Sequence, residues 1–164
     1  MMSSQAAQLP AAKHLEVWTR LMAVHGALAR ELEQDLTHEH GLTLSDYQVL
    51  ARLAAAPGGR LRPVELSRAV LLTRSGITRL VHGLEEAGIV RRVDCSNDRR
   101  GTWVELTDAG RRALRRATNT HLAGIEARFT RQLSPEELDL LGDLLARLPG
   151  RAAADGRRSV GSSV

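Results

Sequence analysis

The chain has 164 residues, of which 43% are hydrophobic, 26% charged and only 2% aromatic, with a net charge of +4. This balance suits one globular domain with a core of Leu, Val, Ile and Ala. The uncharged apolar runs fall short of the roughly 20 residues that a membrane span needs. The single cysteine excludes an internal disulfide framework, and no signal peptide is expected ahead of the first helical pattern, so the chain is read as cytoplasmic with no membrane partner. The charge is segregated: residues 60–116 hold 13 arginines against seven acids, a net +6, while everything else sums to −2. Concentrated charge of one sign implies a polyanionic partner.

Residues 1–9 are small and polar and are read as a disordered N-terminus. A helical pattern follows over about 11–39, with Leu15, Trp18, Leu21, Met22, Leu28, Leu32 and Leu36 at three- and four-residue steps. Gly41 stands where a helix C-terminal cap belongs. Ser45, with Gln48 three residues later, reads as the start of a second helix that breaks at Pro57-Gly58-Gly59. Pro63 opens a short third helix through Val70, and Thr73 caps a fourth that ends at Gly88. Residues 89–93 and 102–106 read as two strands around an eight-residue loop. Thr107 starts a long helix to about Gln132. Ser134-Pro135-Glu136-Glu137 begins the last one, striped by Leu138, Leu141, Leu145 and Leu148. Residues 150–164 have no apolar period and are read as a disordered tail.

The fold class is therefore mainly α with a small β-ribbon. The first and last helices, residues 10–40 and 107–149, carry more apolar stripe than the central module at 41–106 can cover. They are expected to form a dimerisation domain with a second chain, giving a two-fold homodimer.

The fourth helix is the most informative segment. With Ile77 at angle zero and roughly 100° per residue, Leu80, Val81 and Leu84 fall within about 60° of it. Ser75, Thr78, Arg79 and His82 lie on the far side, a hydrogen-bonding face suited to a DNA groove. Arg79 has the geometry for a bidentate contact to guanine, and Ser75 and Thr78 for base edges or phosphates. Thr73 and Arg74 flank that face, with Arg74 nearer the phosphate backbone. Glu85 and Glu86 would repel phosphate and are expected to pair with arginines outside the groove. The ribbon that follows carries Asp98-Arg99-Arg100-Gly101 at its tip, where arginines can reach phosphates or the minor groove.

The runs Val64-Glu65-Leu66-Ser67, Leu72 to Val81 and Leu84 to Val90, together with Asp98-Arg99-Arg100-Gly101 and Leu106-Thr107-Asp108-Ala109-Gly110, resemble the MarR (multiple antibiotic resistance regulator) family over about residues 15–148. The resemblance implies a winged helix-turn-helix homodimer that binds double-stranded, pseudo-palindromic DNA and represses transcription. It also implies a small-molecule effector, bound between the DNA-binding lobe and the dimerisation helices, that releases the DNA. Ser75, Thr78, Arg79 and His82 match the family's major-groove reader and Arg100 its minor-groove wing arginine. Arg99 matches a second backbone contact, and Asp98 the acid that orients the arginines. Relatives carry Asp at the position of His82, which leaves the base preference there open.

Other signals are weaker. His14, Trp18, Leu21 and His25 share one face of the first helix, read as a dimer contact with a ligand-pocket wall as the alternative; Tyr47 is read as core or pocket wall. Cys95 falls in the wing as a surface thiol whose oxidation would disturb it. His38 and His40 are two residues apart, on different helix faces, so no metal site is expected. No phosphate loop, nucleophile motif or carboxylate pair supports an enzyme or a cofactor. The alternative function is a winged-helix protein-interaction module or a nonspecific nucleic-acid binder.

Overall fold

A computed structural model describes residues 11–70, 72–94 and 102–148. By contact density the chain divides into two compact units, residues 1–125 and 126–164. The first unit begins with α1 (Ala11–His40) and α2 (Leu44–Ala55). Then come β1 (Arg60–Leu61), α3 (Pro63–Ala69), α4 (Arg74–Glu86), β2 (Val90–Asp94), β3 (Thr102–Leu106) and α5 (Asp108–Arg128), whose last turn enters the second unit. α6 (Pro135–Ala146) lies in the second unit. None of the described helices is long and apolar enough to cross a membrane.

The core of the first unit is built from Leu36 of α1, Leu42, the Val49-Leu50-Leu53 face of α2, Leu66 of α3 and the Ile77-Val81-Leu84 face of α4. Val90, Val104 and Leu106 close it from the sheet and Ala117 from α5. Each fully buried Leu, Ile or Val contributes about 1.5–3 kcal/mol of transfer free energy. The sheet has the order β1-β3-β2, antiparallel throughout, with Leu61 opposite Val104 and Val90 opposite Leu106. Strand alternation turns Val90, Val104 and Leu106 to the core and puts Arg60, Arg91, Val93, Trp103 and Glu105 on the other face.

Several boundaries differ from the sequence reading for identifiable reasons. α2 starts at Leu44, not at Ser45, because Thr43 and Asp46 form the capping box. The Thr43 hydroxyl accepts from the Asp46 N–H at 3.1 Å, and Oδ2 of Asp46 accepts from the Thr43 N–H at 2.9 Å. The expected two-stranded ribbon is a three-stranded sheet, since β1 is two residues long and carries no alternation of its own. α4 ends at Glu86 in a Schellman motif: Gly88, at φ 69°, donates to the Glu85 carbonyl and Ile89 to that of Leu84. The strand after it therefore begins at Val90. α5 stops at Arg128 and not at Gln132, with a 3-10 turn over Thr130–Gln132. There Nε2 of Gln132 takes the Ala127 carbonyl at 3.2 Å, an acceptor that a continued helix would have used.

Thr107 ties three of these elements together. Its N–H donates to the Ile89 carbonyl at 3.1 Å and its hydroxyl to the Gly88 carbonyl at 2.7 Å, while the hydroxyl accepts from the Gly110 N–H at 3.0 Å. Gly110 is required there: a Cβ would stand 2.1 Å from the Ile89 oxygen.

In the second unit α6 is started by Ser134, whose hydroxyl accepts from the Glu137 N–H while the Glu137 carboxylate accepts from the Ser134 N–H. No side chain of α6 is buried, and Leu140, Leu144, Leu145 and, just beyond it, Leu148 are all exposed.

Candidate nucleic-acid interface

α4 is held on the unit by one face and capped at its start. The Thr73 hydroxyl accepts from the Gly76 N–H at 3.1 Å, fixing the first turn. Ile77 and Val81 are 1% exposed, so the opposite face has a fixed orientation. Ser75, Thr78, Arg79 and His82 all lie exposed on it, together with Thr73 and Arg74 at its N-terminal edge. The sequence-predicted face is thus brought together on one surface.

Its chemistry is set by local hydrogen bonds. The Thr78 hydroxyl donates to the Arg74 carbonyl at 2.8 Å, which leaves its oxygen free to act as an acceptor. The Ser75 hydroxyl lies 3.2 Å from that of Thr73. Arg74 and Arg79 have no ion pair among the described residues, so their donors are available to a partner from outside. His82 Nε2 lies 3.5 Å from Glu86. Glu85 pairs with Arg92 at 3.1 Å, the expected neutralisation by an arginine, whereas Glu86 is met by His82 and not by an arginine. The histidine is one helical turn before Glu86, and Arg92 is already occupied.

Asp98, Arg99, Arg100 and Cys95 lie outside the described residues. At the base of the sheet, the Arg60 and Arg62 guanidiniums lie over the Trp103 ring, 5.1 and 5.2 Å from its centroid. Arg62 also helps line a cleft of about 390 Å³ with Pro63, Arg74, Thr78 and Thr102, between the start of α3, the outer part of α4 and β3. The sequence reading missed this group. Trp103 was legible only as a strand residue, and its partners depend on the unforeseen pairing of β1 with β3.

The other site candidates separate. His14, Trp18 and His25 are exposed on α1, and Leu15, Val17, Leu21, Met22 and Val24 are exposed on the same helix. Tyr47 lies elsewhere, packed on the core with its ring centroid 4.4 Å from that of His121 on α5. Burial holds the His121 imidazole below the ordinary histidine pKa, and its buried Nδ1 has no hydrogen-bond partner among the described residues. Beside it, Thr120 donates to Glu39 at 2.7 Å and lies 2.8 Å from His40 Nε2, joining α5 to the end of α1.

Comparison with known proteins gives a consistent result. Residues 40–101 match the MarR family model. The chain is 36% identical over 94 residues to the HTH-type transcriptional regulator PapX of Escherichia coli, covering 56% of this chain and 57% of PapX, so it spans little more than half that relative's length. Among solved structures, AbsC, a MarR family transcriptional regulator from Streptomyces coelicolor, is 31% identical with a TM-score of 0.75, covering 85% of this chain and 93% of AbsC. Sco3205, a MarR family regulator from the same organism solved in complex with DNA, is 32% identical with a TM-score of 0.78, covering 87% and 89% of the two chains.

Proposed function

The chain belongs to the MarR family of transcriptional regulators, and from that premise we propose that it binds a pseudo-palindromic DNA operator as a homodimer and represses transcription. The observation that carries this reading is the outer face of α4. Ser75, Thr78, Arg79 and His82 stand exposed on a helix whose opposite face is locked into the core, and Arg74 and Arg79 are unengaged by any acid among the described residues. Arg79 reads a base edge bidentately, Thr78 and Ser75 read edges or phosphates, and Thr73 and Arg74 meet the backbone. Arg99 and Arg100, oriented by Asp98, supply the wing contact.

The exposed apolar faces of α1 and α6 support the dimer, because so much unpartnered Leu, Val, Met and Trp is unusual for a monomer. A dimer sets its two reading helices about one DNA turn, roughly 10 bp, apart. A small-molecule effector acting between lobe and dimerisation helices belongs to the same proposal, with Tyr47 as its lobe-side wall, while His14, Trp18 and His25 on α1 serve the dimer contact. The protein acts in the cytoplasm, on the nucleoid.

Selection of bound duplexes from random DNA tests the reading: it should return a two-fold symmetric site. Arg79→Ala should then cost about 1–3 kcal/mol on that site and relax the preference at one base pair per half-site. Binding that falls steeply with salt and shows no sequence preference would favour the nonspecific alternative.

A further inference from the structure

We propose that Arg112, Arg115 and Arg116 of α5 form a docking face for α6 of a second copy of this chain, whose Asp139 and Asp143 meet them in a salt-bridged seam. The proposal rests on the homodimer of the preceding reading, but it assigns residues that reading does not use and gives the pairing a charge-based selectivity.

Three observations carry it. First, the charges are segregated helix by helix. Between Ala109 and Ile125 α5 holds four arginines and no acid, while α6 holds four acids and no basic residue. Local bonds use up only part of each set: Arg111 pairs with Asp108, and the Glu136 and Glu137 carboxylates bond to Ser134. Arg112, Arg115 and Arg116 are exposed with no ion pair among the described residues, and so are Asp139 and Asp143. Second, the spacing sets like charges side by side. Arg112 and Arg116 are four residues apart, as are Asp139 and Asp143, so each helix carries a repelling pair about 6 Å apart along its axis. A helix of opposite sign with the same interval answers both charges at once and removes both repulsions. Third, each charged stripe borders apolar surface that is left open. Leu122, two turns beyond Arg115, is 57% exposed on α5, and Leu140, one turn before Asp143, is 58% exposed on α6. The seam is thus continuous with the apolar faces that the proposed dimer covers. No side chain of α6 is buried within its own chain, which makes a second copy the occupant. Exposed ion pairs add little affinity singly; their weight lies in fixing register and rejecting a wrongly charged neighbour.

Charge reversal tests it, with thermal unfolding of each variant as the check on folding. R112E/R116E and D139R/D143R should each weaken self-association at least about tenfold by sedimentation, because like charges then face each other in both seams. Mixed together, the two variants should pair, since every seam of the heterodimer is attractive. Native mass spectrometry should then find about nine-tenths of the dimers mixed, against about half for random exchange. The chain carrying all four reversals should self-associate as the wild type does. Random exchange between folded variants overturns the seam. Recovery by the fourfold variant together with random exchange would set the acids against α5 of their own chain, and so overturns the second copy as occupant. If the wild-type chain itself sediments as a monomer, the homodimer reading fails and the seam with it. If the wild type is a dimer and only the mixing is random, the seam alone fails.

Discussion

The lobe from Leu42 to Leu106 and the outer helices use the same residue types to opposite effect. In the lobe, Val49, Leu50, Leu53 and Leu66 are 0% exposed. On α1 and α6 the same apolar chemistry is left open, with Leu15 at 65% and Leu140 at 58%. The difference shows which part of the pattern one chain can satisfy alone. A lobe of short helices folded over a small sheet is closed with Leu36 of α1 and Ala117 of α5, whereas α6 buries no side chain. Among the described residues its stripe stays exposed, and the proposed dimer is what would cover it.

The largest effect should come from turning that exposed stripe polar. Trp18→Asp with Leu144→Asp should yield a monomer by sedimentation and weaken operator binding by about 10²–10⁴, because two half-sites could no longer be held together. A variant that remains dimeric would break the contrast between the two regions. Leu50→Ala tests the other side of it. Its cost should be about 2–5 kcal/mol in chemical unfolding, set by a cavity in a closed core. Thr107→Val keeps the shape but removes the hydroxyl shared by Gly88 and Gly110, leaving a part-buried N–H unpaired at about 1–3 kcal/mol.

The smallest effect is a pH dependence. Burial lowers the His121 pKa in the fold below the ordinary value of 6.5. The unfolded chain therefore takes up the proton first, so this contribution to stability is present above about pH 6.5 and is lost as pH falls from there through the folded-state pKa. His121→Phe keeps a ring against Tyr47 and removes both the titration and the orphaned Nδ1. Its melting temperature should fall less than that of the wild type on acidification from about pH 7 to about pH 5. Parallel curves would show that His121 does not contribute.

The elements that the sequence disclosed are those with strong local grammar. Thr73, Pro63, Ser134 and Thr107 mark helix starts through their own side chains or rings, and the Ile77-Val81-Leu84 period locates the buried face of α4. The outer face of α4 follows from that period by subtraction, which is why its residues were legible together. What escaped depends on partners far away in the chain. β1 exists only because Arg60 and Leu61 find Glu105 and Val104, and the Arg60-Arg62-Trp103 group inherits that pairing. Likewise, nothing near Tyr47 in sequence announces His121. At Thr43 the miss was local: two adjacent capping patterns competed, and the aspartate-bearing one won because a carboxylate accepts the exposed N–H more strongly than an amide.

The knot at Thr107 has a mechanical consequence. Gly110 lies so close to the Ile89 carbonyl that the first turn of α5 has no room to roll, and Thr107 bonds the same spot to the end of α4. A stiff coupling of this kind transmits torque without slack. A rotation imposed on α5 is therefore expected to reach the trailing end of α4 and the start of β2 together, since Thr107 bonds to both Gly88 and Ile89.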